Sequence, residues 1–322
     1  MSRRITTSRL RPAVKASFVA AASALIGVAA ASAQTLAQPA QTALEQSAAS
    51  YIQYRADVDF VRKNGLNSPA DVRRAHNRLA GHDAAAFANG WIAYAALVAA
   101  DTPAFADGLR KVAGKKKARA EFIARLNADP RAPASVPGAR EAIGEVLLVA
   151  VKDARAFDAL GADLQQQAYA MQSTNWGEKK LAASGAQRIA ESKSFRATRQ
   201  RASAKIARGD NRGVTTPALA KADAVWTPGW SAIASGTPSL DDKAGSTLDR
   251  VMYLATRYAL GDLTPELLAA FGANKRGSRC ISLAQSSLDA CMSATNYPYE
   301  EAFCLGRHAL QDVAGCVGAV AQ

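Results

Sequence analysis

All four cysteines of this chain, Cys280, Cys291, Cys304 and Cys316, fall near its C-terminal end at steps of 11, 13 and 12 residues. At ~1.5 Å per residue, a step of 11 or 12 within one helix covers roughly 16 to 18 Å. Bridged Cα atoms lie only ~4.4–6.8 Å apart, so Cys280 cannot bond Cys291, nor Cys304 bond Cys316, within a straight helix. If Tyr297-Pro298-Tyr299 turns the chain, two antiparallel helices result. The near-equal steps then align Cys280 with Cys316 and Cys291 with Cys304. This nested pairing is favoured over the two other connectivities that four cysteines allow. One angular mismatch remains. Eleven residues at ~100° each return within ~20° of the starting face, whereas twelve overshoot by ~120°. The second helix is therefore expected to distort or stop, with Gly315 as the place.

The spacing argues against other cysteine chemistry. A four-cysteine zinc site brings its ligands in close CxxC-like pairs, which are missing here, and a thiol oxidoreductase lacks the same pair. The cysteines are expected to be structural, in an oxidising compartment.

The N-terminal segment agrees with that compartment. Arg3, Arg4, Arg9, Arg11 and Lys15 precede an apolar run, SFVAAASALIGVAAA, which ends in Ala31-Ser32-Ala33. This is the layout of a secretory signal peptide cleaved after Ala33, so the protein is expected to be periplasmic or secreted. Removing residues 1–33 takes away those five cations and no acid, and the formal charge falls from +13 to +8. No later apolar stretch is expected to span a membrane; WIAYAALVAA reads better as a buried core helix.

Alanine dominates the apolar residues, aromatics make up only 7% of the chain, and long β-branched runs are missing. With abundant Leu, Arg, Lys, Gln and Glu, this composition predicts an all-α fold, an array or bundle of short antiparallel helices ending in the stapled hairpin. Starts are marked at Ser68-Pro69-Ala70-Asp71, at Asp83 and at Thr102-Pro103, where a capping side chain or a first-turn proline opens a helix. Three prolines make residues 129–137 a loop, and a strong helix follows through Ile143, Val146 and Leu147 towards Leu160. Residues 209–246, rich in Gly, Pro, Ser and Thr, read as an irregular linker. They divide a helical domain, residues 34–208, from a C-terminal helical module, residues 247–322.

Candidate binding residues come from two segments. Residues 178–212 carry ten Lys or Arg against Glu178, Glu191 and Asp210. A helix there would present Lys179, Lys180, Arg188, Lys193, Arg196 and Arg199, with Arg201 and Lys205, as a face attracting anionic lipids or polymers. Trp226 and Trp230, spaced four apart around Pro228-Gly229, could stack against a sugar or peptide. Nucleic acid fits less well, since no aromatics interleave with the cations.

Catalytic chemistry is weakly supported. Glu141 and Glu145 lie one helical turn apart, a spacing that a wall-polymer hydrolase could use but that solvated helix faces carry routinely. His76, His82 and His308 are the only histidines; their spacing gives no metal set. His76 and His82 are expected on the surface or at caps, and His308 beside Glu300 and Glu301. No catalytic residue, metal or cofactor is assigned. The expectation is a non-enzymatic envelope protein, a binding or assembly factor with an anionic envelope component or envelope protein as partner; a wall-polymer hydrolase or lyase and a small-ligand carrier are the alternatives.

Overall fold

The computed structural model describes residues 38–206 and 242–319, with side chains for 43–197 and 246–319. Residues 1–33, most of the expected linker, Trp226 and Trp230 lie outside the described residues. Among those described, the chain is all-helical, with no strand.

The helices are α1 (Gln38–Asn64), α2 (Pro69–Leu79), α3 (Ala84–Asp101), α4 (Pro103–Ala113), α5 (Lys116–Ala128), a 3₁₀ turn (Ala132–Ser135), α6 (Ala139–Met171), α7 (Gly185–Ile206), α8 (Asp242–Leu260), α9 (Pro265–Gly272), α10 (Lys275–Ala294) and α11 (Pro298–Cys304). A π-helical segment (Leu305–Gln311) joins α11 to α12 (Asp312–Gly318). Two of the expected caps form, while at Thr102 the helix starts at Pro103 and the Thr102 hydroxyl instead donates back to the Val98 carbonyl of α3 at 3.0 Å. Ser68 accepts from the Asp71 amide at 3.2 Å and Asp83 from the Ala86 amide at 2.8 Å. Gly138 opens α6 with φ 85°, and a Cβ there would stand 2.3 Å from the Ala104 backbone, so only glycine lets α4 close onto the start of α6.

The core is built around α3, which packs against α1, α6, α8 and α10. Its apolar residues make it long enough, by length and composition, to cross a membrane, yet most of that surface is buried among the other helices. A ring cluster fills the space beside it: Tyr54 meets Phe87 and Phe157 edge-on at 4.9 and 5.1 Å. Because α3 contacts helices from both sides of residues 207–241, the segment expected as a separate module, 247–322, belongs to one compact unit with the described residues 38–206. Residues 242–246, expected in the linker, are instead the first turn of α8.

The two bridges are nested, Cys280 to Cys316 and Cys291 to Cys304, with Cα separations of 5.7 and 5.8 Å. The extra residue of the twelve-residue step is absorbed in Leu305–Gln311 rather than at Gly315, which correction follows from π geometry. Bonds of the i→i+5 type place one additional residue in a turn, so the twelve residues from Cys304 to Cys316 turn through about as many revolutions as eleven in α10. Gly315 lies in regular helix, and a Cβ there would meet nothing within 4 Å.

The same π segment crosses α6 backbone to backbone. A Cβ on Gly161 would lie 2.6 Å from the Gly306 carbonyl oxygen, and one on Gly306 would lie 2.5 Å from that of Gly161. The Tyr54 hydroxyl also donates to the Ala309 carbonyl inside the segment.

Substitution should separate these glycines by role. Gly161→Ala and Gly306→Ala are each expected to destabilise the fold by about 1–3 kcal/mol through forced backbone displacement. Gly144→Ala and Gly315→Ala, at open helical sites, should stabilise it by about 0.5–1 kcal/mol. Urea unfolding of the four variants checks both signs.

Candidate functional site

The cations of α7 divide into those that hold the fold together and those that face water. Arg188, expected on an anion-binding face, is instead buried, with 4% of its side chain exposed. It pairs with Glu301 of α11 and reaches the C-terminal end of α10, where one nitrogen lies 3.1 Å from the Met292 carbonyl, 3.0 Å from that of Thr295 and 2.6 Å from the Thr295 hydroxyl. The Met292 carbonyl also accepts from the Thr295 amide and hydroxyl, and a guanidinium suits this helix end both as a multiple donor and as a positive charge at the negative end of the dipole. Lys193 points out but pairs with Asp289 of α10 at 3.2 Å. Arg196 turns back onto the Ala80 carbonyl. Lys179 and Lys180 are exposed in the irregular stretch before α7. The side chain of Arg199 lies outside the described residues, as do those of Arg201 and Lys205. The expected continuous basic face is therefore broken, because tertiary contacts engage its middle.

Among the described side chains, a denser patch of exposed cations sits elsewhere. On α4, α5 and the turn between them, Arg110, Lys111, Lys115, Lys116, Lys117, Arg119 and Arg125 are all exposed, against Asp107 and Glu121. Seven cations less two acids leave +5 over residues 103–128. Asp107 pairs with Arg110 and Glu121 approaches Lys117 at 3.9 Å. The inner side of α4 buries Phe105, Leu109 and Ala113, and that of α5 buries Phe122 and Leu126. Arg119 is further tied down by donating to the Leu260 carbonyl. Three lysines at the start of α5, with no acid in its first turn, stand at the positive end of the helix dipole. The run Lys115-Lys116-Lys117 is a sequence signal for this patch that a count of charge per segment passes over, since that count favours residues 178–212.

The histidines are inside. His82, expected at the surface or a cap, is buried, with its ring 3.0 Å from Asp57, which also holds Arg78 at 2.8 Å. His76 is likewise buried, and its Nε2 has no partner. His308 pairs with Asp312 at 2.8 Å one turn along its own helix. It does not pair with Glu300, which caps α11, or with Glu301, which holds Arg188. His82 and His308 both line a cavity of about 10 Å³. Space for one water suits a structural role, since substrate sites run to ~300–1,000 Å³. Among the described residues no group of three or more His, Cys, Asp or Glu could hold a metal ion.

A groove among the described residues reaches ligand size. About 310 Å³ in volume, it is lined by Tyr169, Gln172, Thr295, Tyr299 and Phe303 together with the Cys291–Cys304 bridge. Tyr169 is 64% exposed and meets the Phe303 ring edge-on at 6.3 Å. The carboxylate of Glu300 is engaged by the Asn296 and Tyr297 amides, so the groove offers aromatic faces without a free anchoring charge. Glu141 and Glu145 are exposed on the opposite, solvent-facing side of α6 from its buried residues and line none of these cavities.

Removing one member of a buried pair leaves the other charge uncompensated. Arg188→Met should destabilise the protein by about 3–5 kcal/mol, and Arg188→Met with Glu301→Leu should recover most of that loss. Thermal unfolding of both, beside an unaffected Lys179→Gln/Lys180→Gln variant, distinguishes a structural Arg188 from a binding one. Burial, and then nearby Arg188, push the His76 imidazole down to about 4. The unfolded chain binds the proton from ~pH 6.5 downward, so this histidine removes stability progressively from pH 6.5 to 4. Such a displacement corresponds to about 3 kcal/mol. Burial raises the Glu301 carboxyl despite Arg188, and a raised carboxyl works in the opposite sense. His76→Gln should therefore flatten the fall of melting temperature between pH 7 and 4, whatever its effect at neutral pH.

No protein family matches this chain, and neither a curated protein nor a solved structure matches it.

Proposed function

We propose that this chain is an exported envelope protein, a binding or assembly factor that associates with anionic envelope components through surface charge. The observation that carries this reading is the cluster of exposed cations on α4 and α5, held on a scaffold stapled by two disulfides. Two bridges fit an oxidising compartment. The N-terminal pattern of cations, an apolar run and Ala31-Ser32-Ala33 supplies a route out of the cytoplasm, to the periplasm or beyond.

Binding suits the described side chains better than catalysis. The buried Asp57, Asp153 and Glu301 carboxylates are held by arginine, which leaves them neither mobile nor open to a substrate. A charged face needs no cleft: it attracts a polyanion over about one Debye length, ~8 Å at physiological ionic strength.

The mature protein should sediment with isolated cell envelopes at about 50 mM salt and be released by about 500 mM, as screening shortens the reach of its charges. A protein that stays soluble at both salt concentrations overturns this reading.

A further inference from the structure

We propose that the α4–α5 hairpin is a peripheral docking surface for an anionic phospholipid bilayer. This inference rests on the envelope-binding reading above and names its surface and partner. The cations are exposed on two short helices whose inner sides are buried, so they form a charged edge. Lys111, Lys115 and Lys116 are all exposed, and the local acids Asp107 and Glu121 lie beside Arg110 and Lys117 instead.

Three observations favour a headgroup array over other polyanions. The hairpin lines none of the cavities described above, so none of them leads a polymer strand onto its lysines. The large exposed hydrophobic residues, Tyr169, Leu283 and Phe303, all lie outside residues 103–128. The hairpin therefore carries no exposed large ring on which to stack sugars or bases, as nucleic-acid and glycan sites use. Four of its seven cations are lysines, compact hydrated charges that match a field of mobile phosphates, where each adds to attraction without needing a fixed bidentate partner. Attachment is electrostatic, without insertion, because no large apolar side chain is exposed on the hairpin to enter the acyl region.

The test uses the mature, oxidised chain and sedimentation with vesicles. Wild type should partition onto phosphatidylcholine vesicles holding about 30 mol% phosphatidylglycerol and ignore pure phosphatidylcholine. Lys111→Gln/Lys115→Gln/Lys116→Gln/Lys117→Gln should lower that partition coefficient about a hundredfold or more. Lys179→Gln/Lys180→Gln should keep most of it, and equal melting temperatures should show that both variants fold. Absence of partitioning by wild type, an undiminished quadruple variant, or binding to soluble polyphosphate but not to vesicles each overturns the inference. Isolated envelopes separate the two claims. If wild type and quadruple variant both bind envelopes in a salt-sensitive way, the broader reading survives and the hairpin is the wrong surface. If wild type binds anionic vesicles through the hairpin yet ignores envelopes, the hairpin stands and the envelope reading falls.

Discussion

The rotational register of the last two long helical stretches constrains everything packed on them. Cys280 and Cys291 lie on nearly one face of α10, being eleven residues apart, while Cys304 and Cys316 are twelve apart. Two flat bridges between antiparallel helices require equal rotation on both sides, and the π segment Leu305–Gln311 supplies it by accommodating the surplus residue. The position of that turn has further consequences. It brings Gly306 against Gly161 of α6, where the helices touch through their backbones, and it turns the Ala309 carbonyl towards Tyr54 of α1. The bridges thus fix more than two helices, because the distortion they require is itself a contact surface.

An alanine-rich core has a specificity problem that this fold resolves with buried charge. Small, similar side chains allow neighbouring helices to slide with little change in apolar area. Ion pairs do not. Arg55 on α1 meets Asp153 on α6 at 3.1 Å, Asp57 on α1 meets Arg78 of α2 and His82 before α3, and Arg188 on α7 meets Glu301 on α11. A buried pair contributes little net stability, since desolvation offsets most of its attraction. Misaligning one strands a charge, and that penalty selects a register. Burial raises the Asp153 carboxyl even beside Arg55 and with the Tyr51 hydroxyl donating to it.

What could be read from residue order alone was what depends on near neighbours. Ser68 and Asp83 cap the helices that their side chains imply, because a cap involves atoms only a few residues away, whereas α4 starts at Pro103 without a cap from Thr102, whose hydroxyl is taken by the Val98 carbonyl. The cysteine arithmetic required a distortion in the second helix but not its location. Glycine at 315 drew attention by its backbone freedom, while the site was decided at 305–311 by the crossing with α6. His76 shares a helical stripe with Val72, Ala75 and Leu79, so spacing marks its face, but what covers that face, and what Arg188 reaches, depend on α2, α7, α10 and α11 converging, which is a property of tertiary packing.

Charge illustrates the difference most sharply. Counting along the chain ranks residues 178–212 highest, but an arginine that serves the carbonyls of another helix does not act on a partner in solution. In the folded state Arg188 is neutralised by Glu301 and Lys193 is offset by Asp289, leaving Lys179 and Lys180 at the near end. The α4–α5 hairpin lies where few helices cover it, α5 packing mainly on α4, so its lysines have no internal carbonyl or carboxylate to serve. Beyond about 8 Å at physiological salt, charges elsewhere on the molecule are screened. Local density rather than net charge therefore governs what such a surface attracts, and among the described side chains packing turns Arg188 and Arg196 of α7 inward while the lysines of α4 and α5 stay exposed.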